Sequence, residues 1–482
     1  MLTETAYGDS RSSFWPRVRE FAVPPSMIET ATARRTAGDW AGACAAAGVD
    51  VDFNLRSLAR THGRAFAARV RSDLRHLAPD LLRWHMPRIA PDGLLRPGLT
   101  LTLARYGAAG PDVGSGPVHL VARTAPAWAD SGQRISLALW DESGSGAGRG
   151  SESGSEYGGR PHPHPHPRPH PRFRLDLHRH LWDARRSGEL WLRAVADGPP
   201  LPPARSLLPP EHGCAVHRWA AEAAILLRAE GRTGGAVAVR AGARHRLLLE
   251  PEPEPGPGGS DGSGGPAAPP GVRLTPAPPQ DGGPALPLLP EAATWLLPDL
   301  ELLRSGAVDP DRLHPLVASA LVPSHTPAGP PAAADPPGRP RVVECRGERH
   351  RIGLVDGVLA PLDHHPDELR REELLVALTG TPLPCLRAID EAHRRPDCLT
   401  GVRERLDHGD TAGALAVVEG LLGPGALLRA GPLRDALEAA ARQRITYGLF
   451  RAGLAGPGPG RIPSGAGRPR HHRSHPRNTT AR

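Results

Sequence analysis

The chain has 482 residues, 59 basic and 51 acidic, for a formal net charge of +8. All 59 basic residues are arginine, and Gly (56) and Pro (57) occur at about twice their average frequency. With no lysine, the chain alone cannot form a Walker A nucleoside triphosphatase, a protein kinase or a pyridoxal-phosphate enzyme, since each needs a lysine amine at its centre.

In chain order, residues 1–25 read as a flexible N-terminus. The block 26–91 reads as helical. Ser26 and Glu29 have capping-box spacing, and Gly38-Asp39 reads as a helix stop followed by a new N-cap. Leu55, Leu58, Ala59, Phe66, Val70, Leu74, Leu77 and Leu81 recur at helical steps, and Pro87 ends the run.

The block 97–249 reads as β-rich. Period-2 alternation at Leu99–Leu103, Val118–Ala122, Ile135–Leu139 and Phe173–Leu177 predicts half-buried, antiparallel strands. A disordered Gly/Ser and His-Pro insertion over 142–171 interrupts them. A helix at 211–231 and a hairpin turning at Ala241-Gly242 follow.

A Pro/Gly linker at 250–290, a helical segment at 291–322 and a second linker at 323–340 lead to the last block, 341–454. That block opens with a hairpin turning at Arg346-Gly347-Glu348 and continues as a helical bundle. Asp367, Asp397 and Asp410 are its expected N-caps, and Gly380, Gly409 and Gly423 its expected stops. Residues 455–482 form a disordered Arg/His-rich tail. The fold class is therefore α+β: a helical N-terminal block, an antiparallel β-rich middle and a helical C-terminal block, separated by long Pro/Gly-rich disordered insertions. The echo between Gly38-Asp39-Trp40-Ala41-Gly42-Ala43 and Gly409-Asp410-Thr411-Ala412-Gly413-Ala414 reads as generic capping.

Several motifs lack the context their chemistry needs. Asp390-Glu391-Ala392-His393 spells a DEAH box, but it sits in a predicted helix with no Walker A partner. Gly258-Gly259-Ser260-Asp261-Gly262 fits a nucleophile elbow, but it has no strand before it and no helix after it. The weak metal candidates are His162, His164, His166 and His170 in the His-Pro tract, and His364 and His365 beside Asp363, Glu372 and Glu373. Cys385, His393 and Cys398 could meet on adjacent helices. No catalytic or cofactor-binding residue is assigned and no cofactor is expected. Most of the nine tryptophans read as core anchors, with one or two left to face a partner.

Five cysteines without a CxxC pair argue against a disulfide framework. With no apolar leader and no long apolar run, the expectation is a soluble, cytoplasmic protein and no membrane partner. Residues 160–186 carry seven Arg and two Asp, a net +5, and residues 461–482 carry six Arg and no acid, a net +6. The rest of the chain therefore sums to 8 − 11 = −3, so the basic balance does not argue for a nucleic-acid-binding fold. The reading is a non-enzymatic adaptor or accessory protein that binds an unknown protein partner, with weak nonspecific polyanion binding by the tail. The alternatives are a DNA-binding regulator using a helix-turn-helix-like segment at 52–76, and a hydrolase or metal-dependent enzyme whose residues converge only in three dimensions.

Overall fold

The computed structural model describes residues 14–107, 116–129, 133–141, 164, 166–194, 208, 213–242, 245–251, 272–277, 286–325, 341–345, 347–355, 358–379, 384–394, 401–422, 428 and 430–455. It is a mixed α+β molecule with antiparallel sheets.

The expected flexible N-terminus is ordered from residue 14. Phe14, Trp15, Val18, Ala22 and Val23 are buried in the main core; five apolar side chains within ten residues bury enough surface to offset the ordering entropy. Helix Pro25–Thr36 begins with proline in its first turn. Ser26 therefore falls inside the helix, no side chain caps it, and the expected capping box does not form.

Gly38 then takes a left-handed conformation (φ +81°), and Asp39 accepts a hydrogen bond from the Gly42 amide at 2.8 Å to start helix Trp40–Ala46. The distant echo builds the same turn. Gly409 has φ +82°, and Asp410 accepts from the Gly413 amide at 2.9 Å between helices Val402–Asp407 and Thr411–Leu422. An arginine five residues before each aspartate, Arg34 and Arg405, pairs with it at 3.2 Å and 3.0 Å.

Strand β1 (Val49–Val51) lies in the block expected to be wholly helical, and it pairs in parallel with a later strand. Helices Leu55–Thr61, Arg64–His76 and Pro79–His85 follow, then the two-residue strands β2 (Arg88–Ile89) and β3 (Leu94–Leu95). The predicted antiparallel strands form as β4 (Thr100–Tyr106), β5 (Val118–Thr124) and β6 (Ile135–Asp141), in the order β1-β6-β5-β4. One face of this sheet packs on the N-terminal helices, and Val121, Ala138 and Trp140 form a small cluster apart from that core.

Residues 166–171, expected within a disordered insertion, run along the edge of β4, and His164 of the same insertion lies against the end of β5. The His170 amide donates to Thr100 O, and the Thr100 hydroxyl donates to His166 O. The predicted strand at Phe173–Leu177 is not a ladder strand. Only Arg174 bridges Thr102, and turns closed by the Leu177 and His178 amides replace pairing. The alternation there reports burial of Phe173 and Leu175, and burial does not require a ladder.

A second core forms where helix Trp219–Ala229 packs on the three-stranded antiparallel sheet β7 (Val237–Arg240), β8 (Arg246–Pro251) and β9 (Val272–Pro276). Strand β9 falls within the expected linker 250–290, where Leu274 reaches the core. The helical segment forms as Glu291–Thr294, Pro298–Arg304 and Pro315–Leu321, and it docks on the N-terminal helices through buried polar groups. Trp84 Nε1 donates to Asp299 Oδ2 at 2.8 Å, Arg19 pairs with Asp299 at 3.3 Å, and His314 Nε2 lies 2.9 Å from Asp80 Oδ2.

The C-terminal hairpin gains a third strand, giving β10 (Arg341–Cys345), β11 (Glu348–Val355) and β12 (Val358–Pro361), with Gly347 left-handed at the predicted turn. Helices Pro366–Thr379, Pro384–Arg394, Val402–Asp407, Thr411–Leu422 and Pro432–Arg451 complete the block. Asp367 is not the N-cap of its helix. His365 precedes Pro366, and its Nδ1 accepts from the Asp367 amide at 3.3 Å. Asp397, Gly380 and Gly423 lie outside the described residues. Among the described residues no helix is long and apolar enough to cross a membrane.

Candidate anion-binding cleft and a cysteine-histidine cluster

Between the four-stranded sheet and the β7–β9 sheet lies an open cleft of about 1630 Å³, lined by eight arginines, three histidines (His119, His166, His170), Trp140 and a single carboxylate, Glu230. Three of the arginines are paired with acids. Arg174 grips Asp176 through two bonds of 2.8 and 2.9 Å and reaches Glu230 at 2.5 Å; Arg105 lies 3.4 Å from Asp176 and 3.6 Å from Glu230. Arg172 pairs with the buried Glu291. Among the described residues, Arg96, Arg168, Arg232, Arg240 and Arg246 have no acidic partner.

These cations act on one another. Burial, and then the neighbouring Arg240 and Arg96, push Arg172 down to about 10. Burial, then Arg246 and Arg96, lower Arg240 as well. Burial, then Arg172, Arg96 and Arg240, hold the His170 imidazole below its ordinary value and favour its neutral form. Arg240 and Arg246 stand directly opposite one another on β7 and β8, a pairing that destabilises a sheet on its own. A bound anion would relieve this repulsion. Trp140 and His119 meet edge to face at 5.1 Å on the sheet wall, and Trp140 Nε1 is buried without a hydrogen-bond partner.

His166 and His170 of the His-Pro tract line this wall. His164 is buried with Nε2 3.0 Å from Thr124 O, and its Nδ1 accepts from the His166 amide. His170 Nδ1 accepts from the Arg172 amide, and its ring lies against Phe173. His164, His166 and His170 do not converge on a common point with other ligands, and His162 lies outside the described residues.

The second group of candidates behaves differently. His364 comes within 4.8 Å of both Cys345 and Cys385, measured between ligand atoms, and all three are almost wholly inaccessible. Burial, and then the Cys345 thiol beside it, push the Cys385 thiol up to about 12, so it is protonated and unreactive as it stands. His365 is exposed and apart from the cluster. His393 lies on helix Pro384–Arg394 with its side chain outside the described residues, as does Cys398. The DEAH residues lie on that same helix, and the Gly258–Gly262 motif lies outside the described residues.

Other buried histidines serve the core. His178 Nε2 lies 3.1 Å from Glu222, which Arg193 also holds at 2.6 Å, beside a void of about 20 Å³. The helix-turn-helix-like segment forms two helices joined at Gly63 (φ +86°). Val70 and Leu74 are buried, and Arg69 is exposed with its guanidinium near the Phe66 and Tyr106 rings.

The sequence reading missed Arg96, Arg232, Arg240, Arg246 and Cys345 as site residues. The one available signal was the predicted hairpin at 237–249, whose two-fold register sets Arg240 against Arg246. Comparison with protein-family models, with curated proteins and with solved structures finds no match for this chain.

Proposed function

We propose that this protein is a non-enzymatic binding protein whose ligand is a phosphate-bearing polyanion, single-stranded nucleic acid, held in the arginine cleft. The observation that supports this most is the gathering around a single opening of five arginines that have no acidic partner among the described residues. Their mutual repulsion is a standing cost that a phosphate chain offsets. The opening exceeds the roughly 300–1,000 Å³ typical of small-molecule pockets, which favours a chain ligand. The exposed imidazoles of His166 and His170 on its wall suit base stacking, which tolerates any sequence.

The test is fluorescence anisotropy of a labelled single-stranded oligonucleotide with the full chain at several salt concentrations. Arg96→Ala and Arg240→Ala should each weaken binding and reduce the salt slope by about 0.7. Arg71→Ala with Arg75→Ala, on the exposed side of helix Arg64–His76, should leave it unchanged, as should removal of residues 456–482. Binding that survives both cleft substitutions but disappears with the tail or with Arg71 and Arg75 would refute the cleft reading. A polyglutamate chain of equal charge that competes as well as the oligonucleotide would move the ligand class to acidic protein segments.

A second reading, the adaptor role, rests on the last helix. Ile445 and Leu449, one turn apart, are 64% and 41% exposed, and Leu454 beyond them is 73% exposed. Such an unpaired apolar stripe suits a protein partner. Ile445→Asp with Leu449→Asp should then abolish a defined complex without altering oligonucleotide affinity, and an unchanged monodisperse monomer in both forms would count against it.

A further inference from the structure

Cys345 ends β10, His364 lies in the turn after β12, and Cys385 opens helix Pro384–Arg394. Sheet and helix together bring two sulfurs and one ring nitrogen within 4.8 Å of one another. A tetrahedral zinc ion with ordinary Zn–S and Zn–N bonds sets its ligand atoms about 3.5–3.8 Å apart, so the cluster needs only a small contraction to close around one.

The polar inventory of the cluster points the same way. His364 turns Nδ1 toward Glu368 Oε2 at 3.4 Å, while its Nε2 is buried and has no hydrogen-bond partner. His350 stacks on the same ring, with centroids 4.1 Å apart and planes within 11°, and its Nδ1 is likewise buried without a partner. An unsatisfied imidazole nitrogen on His364 beside two buried thiols needs an explanation, and an ion is one of the few that buried groups allow. A carboxylate on the far nitrogen of a ligating histidine fixes the ring's tautomer and orientation, the usual support of a metal-bound imidazole.

We propose that Cys345, His364 and Cys385 bind one zinc ion through two thiolates and His364 Nε2, with water in the fourth position and Glu368 as a positioning residue. Two thiolates and an imidazole select zinc over hard cations such as magnesium or calcium. Each thiol gives its proton to solvent as its Zn–S bond forms, and no oxidant or reductant is consumed. The ion would tie the β10–β12 sheet to the two helices that follow it. The proposal does not depend on what the arginine cleft binds.

The test uses the full chain, reduced and stripped of metal, titrated with Co²⁺ and then Zn²⁺. The expected result is one equivalent of cobalt giving a thiolate-to-cobalt charge-transfer band with tetrahedral d–d absorption, displaced by one equivalent of zinc. Cobalt on the His-Pro tract or the His-rich tail produces no such band. Cys345→Ser and Cys385→Ser should each remove or sharply weaken the band, Cys214→Ser should leave it intact, and Glu368→Gln should weaken zinc binding by about 10–100-fold. Because a serine variant could fail to fold, alkylation of the wild-type chain in partly denaturing urea, where the buried thiols open to the reagent, followed by peptide mass spectrometry gives a second readout, in which zinc should slow labelling of Cys345 and Cys385 together. Cobalt binding without the charge-transfer band, a band that persists in both serine variants, or equal labelling with and without zinc would overturn the proposal.

Discussion

Asp299 is fully buried 280 residues from Arg19, and it carries two of the buried polar contacts that bind the 291–321 segment to the N-terminal helices. Replacing it with alanine does two things. It leaves the Arg19 guanidinium, itself 2% exposed and stacked 4.2 Å over the Trp84 ring, without its counter-charge. It also strands Trp84 Nε1 without an acceptor. Breaking a buried ion pair costs about 3–5 kcal/mol, and orphaning a buried donor about 1–3 kcal/mol. The two overlap, so the expected loss is about 4–6 kcal/mol, a large part of the ~5–15 kcal/mol that holds a domain together. Urea unfolding followed by tryptophan fluorescence reads it directly. The double substitution Asp299→Leu with Arg19→Met should lose far less than the sum of its single changes, because neither charge is then stranded. A loss below about 1 kcal/mol for Asp299→Ala, or simple additivity in the double variant, would refute the claim that this pair locks the segment in place.

Further outcomes follow from the same contacts. Burial, then the cations Arg88, Arg83 and Arg17, hold His408 down to about 3, and burial also lowers His180 well below its ordinary value. Unfolded histidine takes up a proton near pH 6.5, so the unfolded chain binds more protons just below that pH. Stability should therefore fall steadily on acidification from about pH 6.5, by up to ~1.4 kcal/mol per pH unit for each such histidine, and His408→Gln should flatten part of the profile in pH-dependent denaturation. Burial works to raise the Glu222 carboxyl, but hydrogen bonds from His178 and Arg193 outweigh it and hold it far below the carboxylate range. Its contribution is present above the unfolded value and should persist until strongly acid pH, as acid titration of Glu222→Gln against the parent chain would reveal. In the cleft, a polyanion should draw a proton onto His170, so oligonucleotide affinity should rise as pH falls from about 7 to 5, and His170→Ala should reduce that rise. Asp39→Ala and Asp410→Ala should each cost about 1 kcal/mol through loss of the same N-cap, measurable by thermal unfolding.

What could be read from sequence was whatever local chemistry enforces. Asp39 and Asp410 cap their helices as their Gly-Asp signals predict, because the left-handed glycine and the aspartate's reach to the third amide are decided within six residues. The alternation of β4, β5 and β6 held, since both the ladder and the buried face follow from side-chain period. The same rule misread Phe173–Leu177, where turns satisfy the backbone that a ladder would otherwise serve. Low-complexity composition misread 166–171 and 272–276, where one sheet edge and one leucine suffice to order the chain.

The summed charge located basicity in residues 160–186 and in the tail and left a mildly acidic remainder. The cleft is nevertheless basic, because folding sets Arg168 and Arg172, from the basic stretch 160–186, beside Arg96, Arg240 and Arg246, which lie far from it along the chain. The missing lysine and the capped helix pairs were determined by the sequence itself, for they need no partner distant in the chain. The arginine cleft and the Cys345–His364–Cys385 cluster were decided only by tertiary structure. Electrostatic repulsion and metal-ligand geometry depend on distance in space, and the pairing of sheets and helices sets that distance independently of separation along the chain.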